Sequence, residues 1–340
     1  IAAHCEDYGR CGGFSLHHVS VEHQRDIKEQ TLRDNMERIG RVAPDEWLAP
    51  MTGPEWHYRR RARLAVKDVR GKGRALVGFR ERHAPFIADM LRCEVLAKPL
   101  DAMIADLSEL IGGLSIRARL PQIEVAVAEN DIALVFRVLD PPTDADEAAF
   151  RAFGEQHGLL INLQPRGLYT VALLYPDRVY ESRDYTLPEF DVRVDFEPID
   201  FVQVKSEINR RMVHFAVERL AAGPEDRVLD LFCGIGNFSL PLARSAGSVL
   251  GVEGLDSLTA RAAATLGEVS PPAGSTRLSA IPVSFGACRG RVRIVAAPDQ
   301  AGELADGDIL VCSSTDPSWT PLFSQVSGLV LETGGVLSHG

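Results

Sequence analysis

The residues best suited to chemistry lie in one run, Val228 to Ala243, reading VLDLFCGIGNFSLPLA. An apolar stretch, Val228–Leu231, carries Asp230 and ends in a turn built on Gly234 and Gly236. Phe238, Leu240 and Leu242 then start a helical pattern. Strand, glycine turn and helix form the βα unit that holds a nucleotide-like ligand against a helix N-terminus. Asp230 falls at the strand's carboxyl end, where open α/β sheets bind ligands. A second apolar run, Ser248–Val252, ends in Glu253, seventeen residues beyond Gly236. A carboxylate there can accept hydrogen bonds from both hydroxyls of a ribose. The third position of the dinucleotide pattern G-x-G-x-x-G is Ser239, which counts against a dinucleotide. Cys233, inside the turn, reads as a small buried residue.

Other reactive residue types sit far from this run. Cys5 and Cys11 stand in HCEDYGRCGGFSLHH, and Cys93 in MLRCEVL. The segment Tyr58 to His83 holds ten Lys or Arg, among them Arg59, Arg60, Arg61, Arg63 and Lys67, against Asp68 and Glu81. Alternation in Arg61–Val69 and Ala75–Arg80, with GKG between them, predicts a hairpin. A twisted hairpin with arginines on one face suits RNA phosphates and exposed bases. The alternative is a solvated charged face.

These residues need elements to carry them. A chain of 340 residues predicts two or three domains, and 45% hydrophobic content is enough for packed cores. A helix is expected over Glu22–Arg41 and helical signal over Phe86–Ile111. Strands are expected at Gln122–Ala128, Ile132–Leu139, Gly158–Gln164 and Val192–Phe196, with a helix at Asp144–His157 and another at Arg210–Ala222. Residues 271–275, Pro-Pro-Ala-Gly-Ser, read as a linker. No apolar run approaches a membrane span and no signal peptide opens the chain, so a cytoplasmic protein is expected. Six cysteines in this length do not resemble a disulfide framework. The first residue is Ile1, so the chain is expected to begin inside a longer one. A net charge of −10 argues mildly against a general nucleic-acid coat, while leaving room for a local basic patch.

The wording DLFCGIGNFSLPLA followed by GVEG resembles the S-adenosylmethionine (SAM) site of RNA uracil-5-methyltransferases, specifically the iron–sulfur 23S rRNA (uracil-5-)-methyltransferases. Y-R-R-R-A-R-L in the basic segment and F-x-Q-V before the glycine turn extend the resemblance. It implies SAM held by Gln203, Asp230, Gly234, Gly236 and Glu253, and RNA (23S rRNA) gripped by Arg59, Arg60, Arg61, Arg63 and Lys67. Lys205 replaces the family's usual Asn. The resemblance also implies an iron–sulfur cluster on Cys5, Cys11 and Cys93, with Phe14 where the remaining cysteine would stand. A [4Fe–4S] cluster takes four thiolates and a phenyl ring does not ligate iron, so a substoichiometric or oxygen-labile cluster is expected.

Such enzymes add a cysteine thiolate to C6 of uracil, making C5 nucleophilic toward the SAM methyl, and a base then removes the C5 proton. The S-C-N-P cysteine, the D-P-P-R-like loop and the later glutamate do not occur after Glu253; Cys288 and Cys312 lack the flanking residues. Residues 281–340 instead resemble the mobile phosphohistidine domain of phosphoenolpyruvate-utilising enzymes, through GDILVCSSTDPSWTPLF and SGLVLETGGVLSHG. That likeness makes His339 a possible phosphohistidine.

The expected fold class is α/β. An RNA-binding α/β domain is expected over residues 1–195 and a truncated Rossmann-like methyltransferase domain over 196–270. A linker over 271–280 and a partial swivelling phosphohistidine-type domain over 281–340 would follow. The leading expectation is a SAM-dependent RNA uracil-C5 methyltransferase-like protein, monomeric and without a protein partner. The alternatives are a phosphoryl carrier through His339 and a non-catalytic RNA-binding remnant.

Overall fold

The computed structural model describes residues 3–13, 15–167, 170–177, 183–266, 291–295, 302, 304–312 and 326–331. Phe14, the 271–275 linker, Cys288 and His339 lie outside them. The chain divides into two units, one of Ile1–Arg183 with Glu197–Met212, the other of Asp184–Phe196 with Val213–Gly340. The backbone passes between the units three times, after Arg183, Phe196 and Met212.

In the first unit, Ser20 accepts the His23 N–H at 3.3 Å and so starts helix α1 (Val21–Asn35), which runs into a π-turn at Met36–Gly40. The predicted hairpin forms as β1 (Arg61–Val69) and β2 (Arg74–Gly78), antiparallel, turning through Gly73 at φ 67°. Side chains alternate across a strand. Ala62, Leu64 and Val66 therefore enter the core while Arg63 and Lys67 stay exposed.

The hairpin is one end of a six-stranded sheet. Its other strands are β3 (Gln122–Val127), β4 (Ile132–Arg137), β5 (Leu160–Gln164) and β6 (Ala172–Tyr175), in the order β2-β1-β3-β4-β5-β6. Only β4 and β5 pair in parallel. A parallel pair needs a crossover, and it is supplied by the second of two helices, α2 (Ile104–Gly113) and α3 (Asp144–His157). Thr143 and Asp146 cap α3 reciprocally, and Gly158 ends it at φ 64°. Leu107, Ile111 and Phe150 pack with Ile123, Leu134, Phe136 and Ile161 to make the core.

The helical signal over Phe86–Ile111 is corrected by the structure. Regular helix begins only at Ile104, after a 3₁₀ turn at Leu100–Ala102. Pro99 has no N–H to donate and disfavours helical backbone at Lys98. Residues 94–97 instead bond sideways: the His57 N–H to the Glu94 carbonyl at 2.9 Å, the Arg59 N–H to Val95 at 2.8 Å, and the Ala97 N–H to Arg59 at 3.0 Å.

The second unit takes β7 (Arg183–Leu187) paired with β8 (Val192–Phe196). Helix α4 (Ser206–Leu220) starts in the first unit and ends in the second. Then come β9 (Arg227–Leu231), α5 (Ser239–Leu242), β10 (Ser248–Val252) and α6 (Asp256–Leu266), with β9 and β10 parallel. Helix α5 is shorter than its apolar pattern suggests, because Pro241 cannot donate to the carbonyl four residues back. Three further strands, β11 (Val292–Ile294), β12 (Asp308–Cys312) and β13 (Val326–Leu331), form a parallel sheet around Leu310.

Candidate cofactor turn and nucleic-acid interface

Between β9 and α5 the chain reverses through Phe232 at φ 63°, Gly234 at φ 55° and Gly236 at φ 87°. Left-handed backbone costs little at glycine. The turn is fastened to the ends of both strands. Glu253, buried after β10, accepts the Gly234 N–H at 3.0 Å through one carboxylate oxygen and the Gly254 N–H at 2.8 Å through the other. Asp230 accepts a hydrogen bond from the Ser239 hydroxyl, and the Cys233 N–H reaches the Val252 carbonyl at 3.0 Å. Ser239, read from sequence only as a missing third glycine, is thus a ligand of Asp230.

Packing explains two further glycines. Gly251 lies opposite Asp230 in the strand register, and a Cβ there would sit 2.8 Å from the Cys233 sulfur. At Gly236 a Cβ would come 2.8 Å from Leu240. Gly234 differs: a Cβ on it would meet nothing within 4 Å. Open space at the turn, beside a buried carboxylate with accepting lone pairs, fits a ribose-bearing ligand such as SAM.

Burial raises the Asp230 carboxyl above its usual range, opposed by the Ser239 hydrogen bonds. Cys233 is pushed up to about 12, by burial first and then by the charges of Asp230 and Glu253. At neutral pH it is a protonated thiol packed against β10, with no nucleophilic character.

Gln203 belongs to the first unit, exposed in the extended segment between Asp200 and α4, with Val202 buried beside it. Lys205, the departure from the family wording, has a local role. Its ammonium donates to the Pro54 carbonyl at 3.0 Å and lies 4.1 Å from the centre of the Tyr58 ring.

The basic strand separates its cations. Arg61 is only 14% exposed and donates to Glu124 at 2.8 Å, to the Val125 carbonyl at 3.1 Å and to the Asp200 carbonyl at 3.1 Å. Its guanidinium holds residue 200 to the sheet and is largely withdrawn from solvent. Arg63 shares Glu124 at 3.0 Å but is 68% exposed, and Lys67 is exposed. Arg60 and Arg59 are half-buried, with the Arg59 guanidinium 5.7 Å from the Phe79 ring centre. Glu124 carries no sequence signal beyond its place on a strand, yet it engages both Arg61 and Arg63.

Cys11 and Cys93 are core residues, 5% and 4% exposed, while Cys5 is half-buried. Burial raises all three thiols, Cys93 to about 11, and each of Cys11 and Cys93 feels the charge of its neighbouring cysteines. Three cysteines and a phenylalanine do not make the four-thiolate set of a [4Fe–4S] cluster. Among the described residues no group of three or more His, Cys, Asp or Glu is arranged to hold a metal ion. Backbone bonds also tie this segment to its neighbours: the Gly12 N–H to the Arg80 carbonyl at 2.8 Å and the Arg82 N–H to the Arg10 carbonyl at 2.8 Å.

The family model described as tRNA (Uracil-5-)-methyltransferase matches residues 21–267, which include the basic strand, Gln203 and the clamped turn. The chain belongs to the tRNA (uracil-5-)-methyltransferase family. Among relatives in this family, the 23S rRNA (uracil(1939)-C(5))-methyltransferase RlmD of Cupriavidus necator is 50% identical over 260 residues, 76% of this chain and 58% of that protein. The RlmD of Alkalilimnicola ehrlichii is 50% identical over 261 residues, 77% of this chain and 58% of its own length. The chain thus spans under three fifths of these relatives. Its fold resembles the Pyrococcus abyssi tRNA (uracil-54, C5)-methyltransferase in complex with S-adenosyl-L-homocysteine, with a TM-score of 0.56, 18% identity, and coverage of 84% of this chain and 69% of that one. A separate match, to the mobile domain of PEP-utilising enzymes, covers residues 304–340. Among the described residues, no helix is long and apolar enough to cross a membrane.

Proposed function

We propose that these residues form the RNA-binding and SAM-binding part of a SAM-dependent uracil-C5 methyltransferase acting on rRNA. The observation that carries this reading is the clamped turn, in which Glu253 is held against the Gly234 N–H within a chain of the uracil-5-methyltransferase family. Glu253 receives the ribose hydroxyls, and Gly234 and Gly236 allow close approach. SAM supplies the methyl group. Arg59, Arg60, Arg63 and Lys67 bind RNA phosphates, and Arg61 keeps their strand in place. The thiolate that adds to uracil C6 belongs to an S-C-N-P sequence, which the 340 residues do not contain. Transfer requires such a cysteine, and these residues contribute the binding of SAM and RNA.

Titration calorimetry with S-adenosylhomocysteine, and filter binding with an rRNA fragment at several salt concentrations, test the two halves. Micromolar binding of the nucleoside and salt-dependent RNA binding are expected. Absence of nucleoside binding by a folded chain overturns the SAM reading, and salt-independent RNA binding overturns the electrostatic one.

A further inference from the structure

The second unit contains a hydrogen bond that the family motif does not call for. Tyr185, on β7, is packed with its ring 6.1 Å from that of Phe196, and its hydroxyl donates to Oδ1 of Asn237 at 2.7 Å. Asn237 directly follows Gly236, in the stretch between the two glycines and α5. We propose that Tyr185 is a positioning residue for the nucleoside-binding turn, acting through Asn237 and not through contact with the ligand.

The physical case rests on the turn's composition. Gly234 and Gly236 both occupy left-handed backbone, and glycine loses more conformational freedom on ordering than any other residue. Glu253 fixes the turn at Gly234, and Asp230 fixes it at Ser239. Asn237 lies between these two anchors, and Tyr185 supplies a third one there. Tyrosine hydroxyls in partly buried positions usually take a hydrogen-bond partner, and desolvation holds this phenol far above its ordinary value, so it remains a donor at every working pH. A tether already present in the free protein reduces the ordering that a ligand must bring about on binding.

This proposal rests on the SAM reading for its affinity readout and has a second readout that does not. Tyr185→Phe keeps the ring and removes only the donor. Its dissociation constant for S-adenosylhomocysteine is expected to rise about three- to tenfold, the range of one net hydrogen bond, while the urea midpoint shifts little. Asn237→Ala should weaken binding similarly, and the double variant should be no worse than the weaker single one. In the ligand-free protein, hydrogen exchange at residues 234–238 should quicken several-fold in Tyr185→Phe and stay unchanged in β4. Unchanged exchange in the turn, or losses that multiply in the double variant, overturns the tether. If the wild-type chain binds no nucleoside, the SAM reading falls, and the exchange rates still decide whether Tyr185 holds the turn.

Discussion

The Glu253 carboxylate accepts the Gly234 N–H at 3.0 Å, joining the end of one parallel strand to the turn that follows its neighbour. The same carboxylate takes the Gly254 and Leu255 N–H groups, so its position is set before any ligand arrives. Replacing Glu253 by Ala removes a charged acceptor and leaves the Gly234 N–H without it. Hydrogen bonds to charged groups contribute roughly 1.5–3 kcal/mol each. S-adenosylhomocysteine binding by calorimetry should therefore weaken on the order of ten- to a hundredfold. An unaltered dissociation constant would remove Glu253 from the site.

Arg61 and Lys67 lie on one face of β1 but should respond to mutation in opposite ways. Arg61→Ala leaves Glu124, whose side chain is 6% exposed, with Arg63 and Gln122 but without its buried cation. Losing one charge-assisted hydrogen bond to a carboxylate that keeps a second cation costs roughly 1.5–3 kcal/mol. Urea unfolding should show that loss. Lys67→Ala should leave stability unchanged and reduce the slope of log affinity against log salt by about 1. Equal stability for both variants would contradict the burial of the Arg61–Glu124 pair.

Asp146 gives the first unit an acid-sensitive joint. Burial by itself would raise its carboxyl, but hydrogen bonds from Ser115 and Thr143 hold it at about 2 against an ordinary 3.8. A depressed carboxyl stabilises the folded state in full above the ordinary value, and loses that contribution as pH falls toward about 2. Asp146→Asn should therefore be clearly less stable than wild type at pH 6, with the gap shrinking below pH 4. A constant gap across that range, by urea unfolding, would show that the charge is not what matters.

The cysteine segment is tied down by backbone bonds and core packing, so the fold should not depend on iron. Anaerobically purified protein should hold well below about four irons per chain. Unfolding and refolding with a chelator should return the same midpoint. A full complement of iron, lost together with the fold on chelation, would refute this.

Much of this molecule is legible in its residues because the responsible forces are local. Alternation defined β1 over Arg61–Val69, the helical pattern placed α3 at Asp144–His157, and the glycine pattern located the turn between β9 and β10. Residue type also sufficed to nominate Glu253 and Asp230, and to mark Phe14 as unfit for iron. What the sequence could not decide depends on partners distant along the chain. Glu124, 63 residues from Arg61, pairs with both arginines, Arg61 buried and Arg63 exposed. Tyr185 and Asn237 meet across 52 residues. Residues 94–97 abandon a helical pattern because residues 57–59 offer them hydrogen bonds. Periodicity records which face of an element is apolar; it does not record which charged group lies opposite, nor how deeply each arginine on that face is buried.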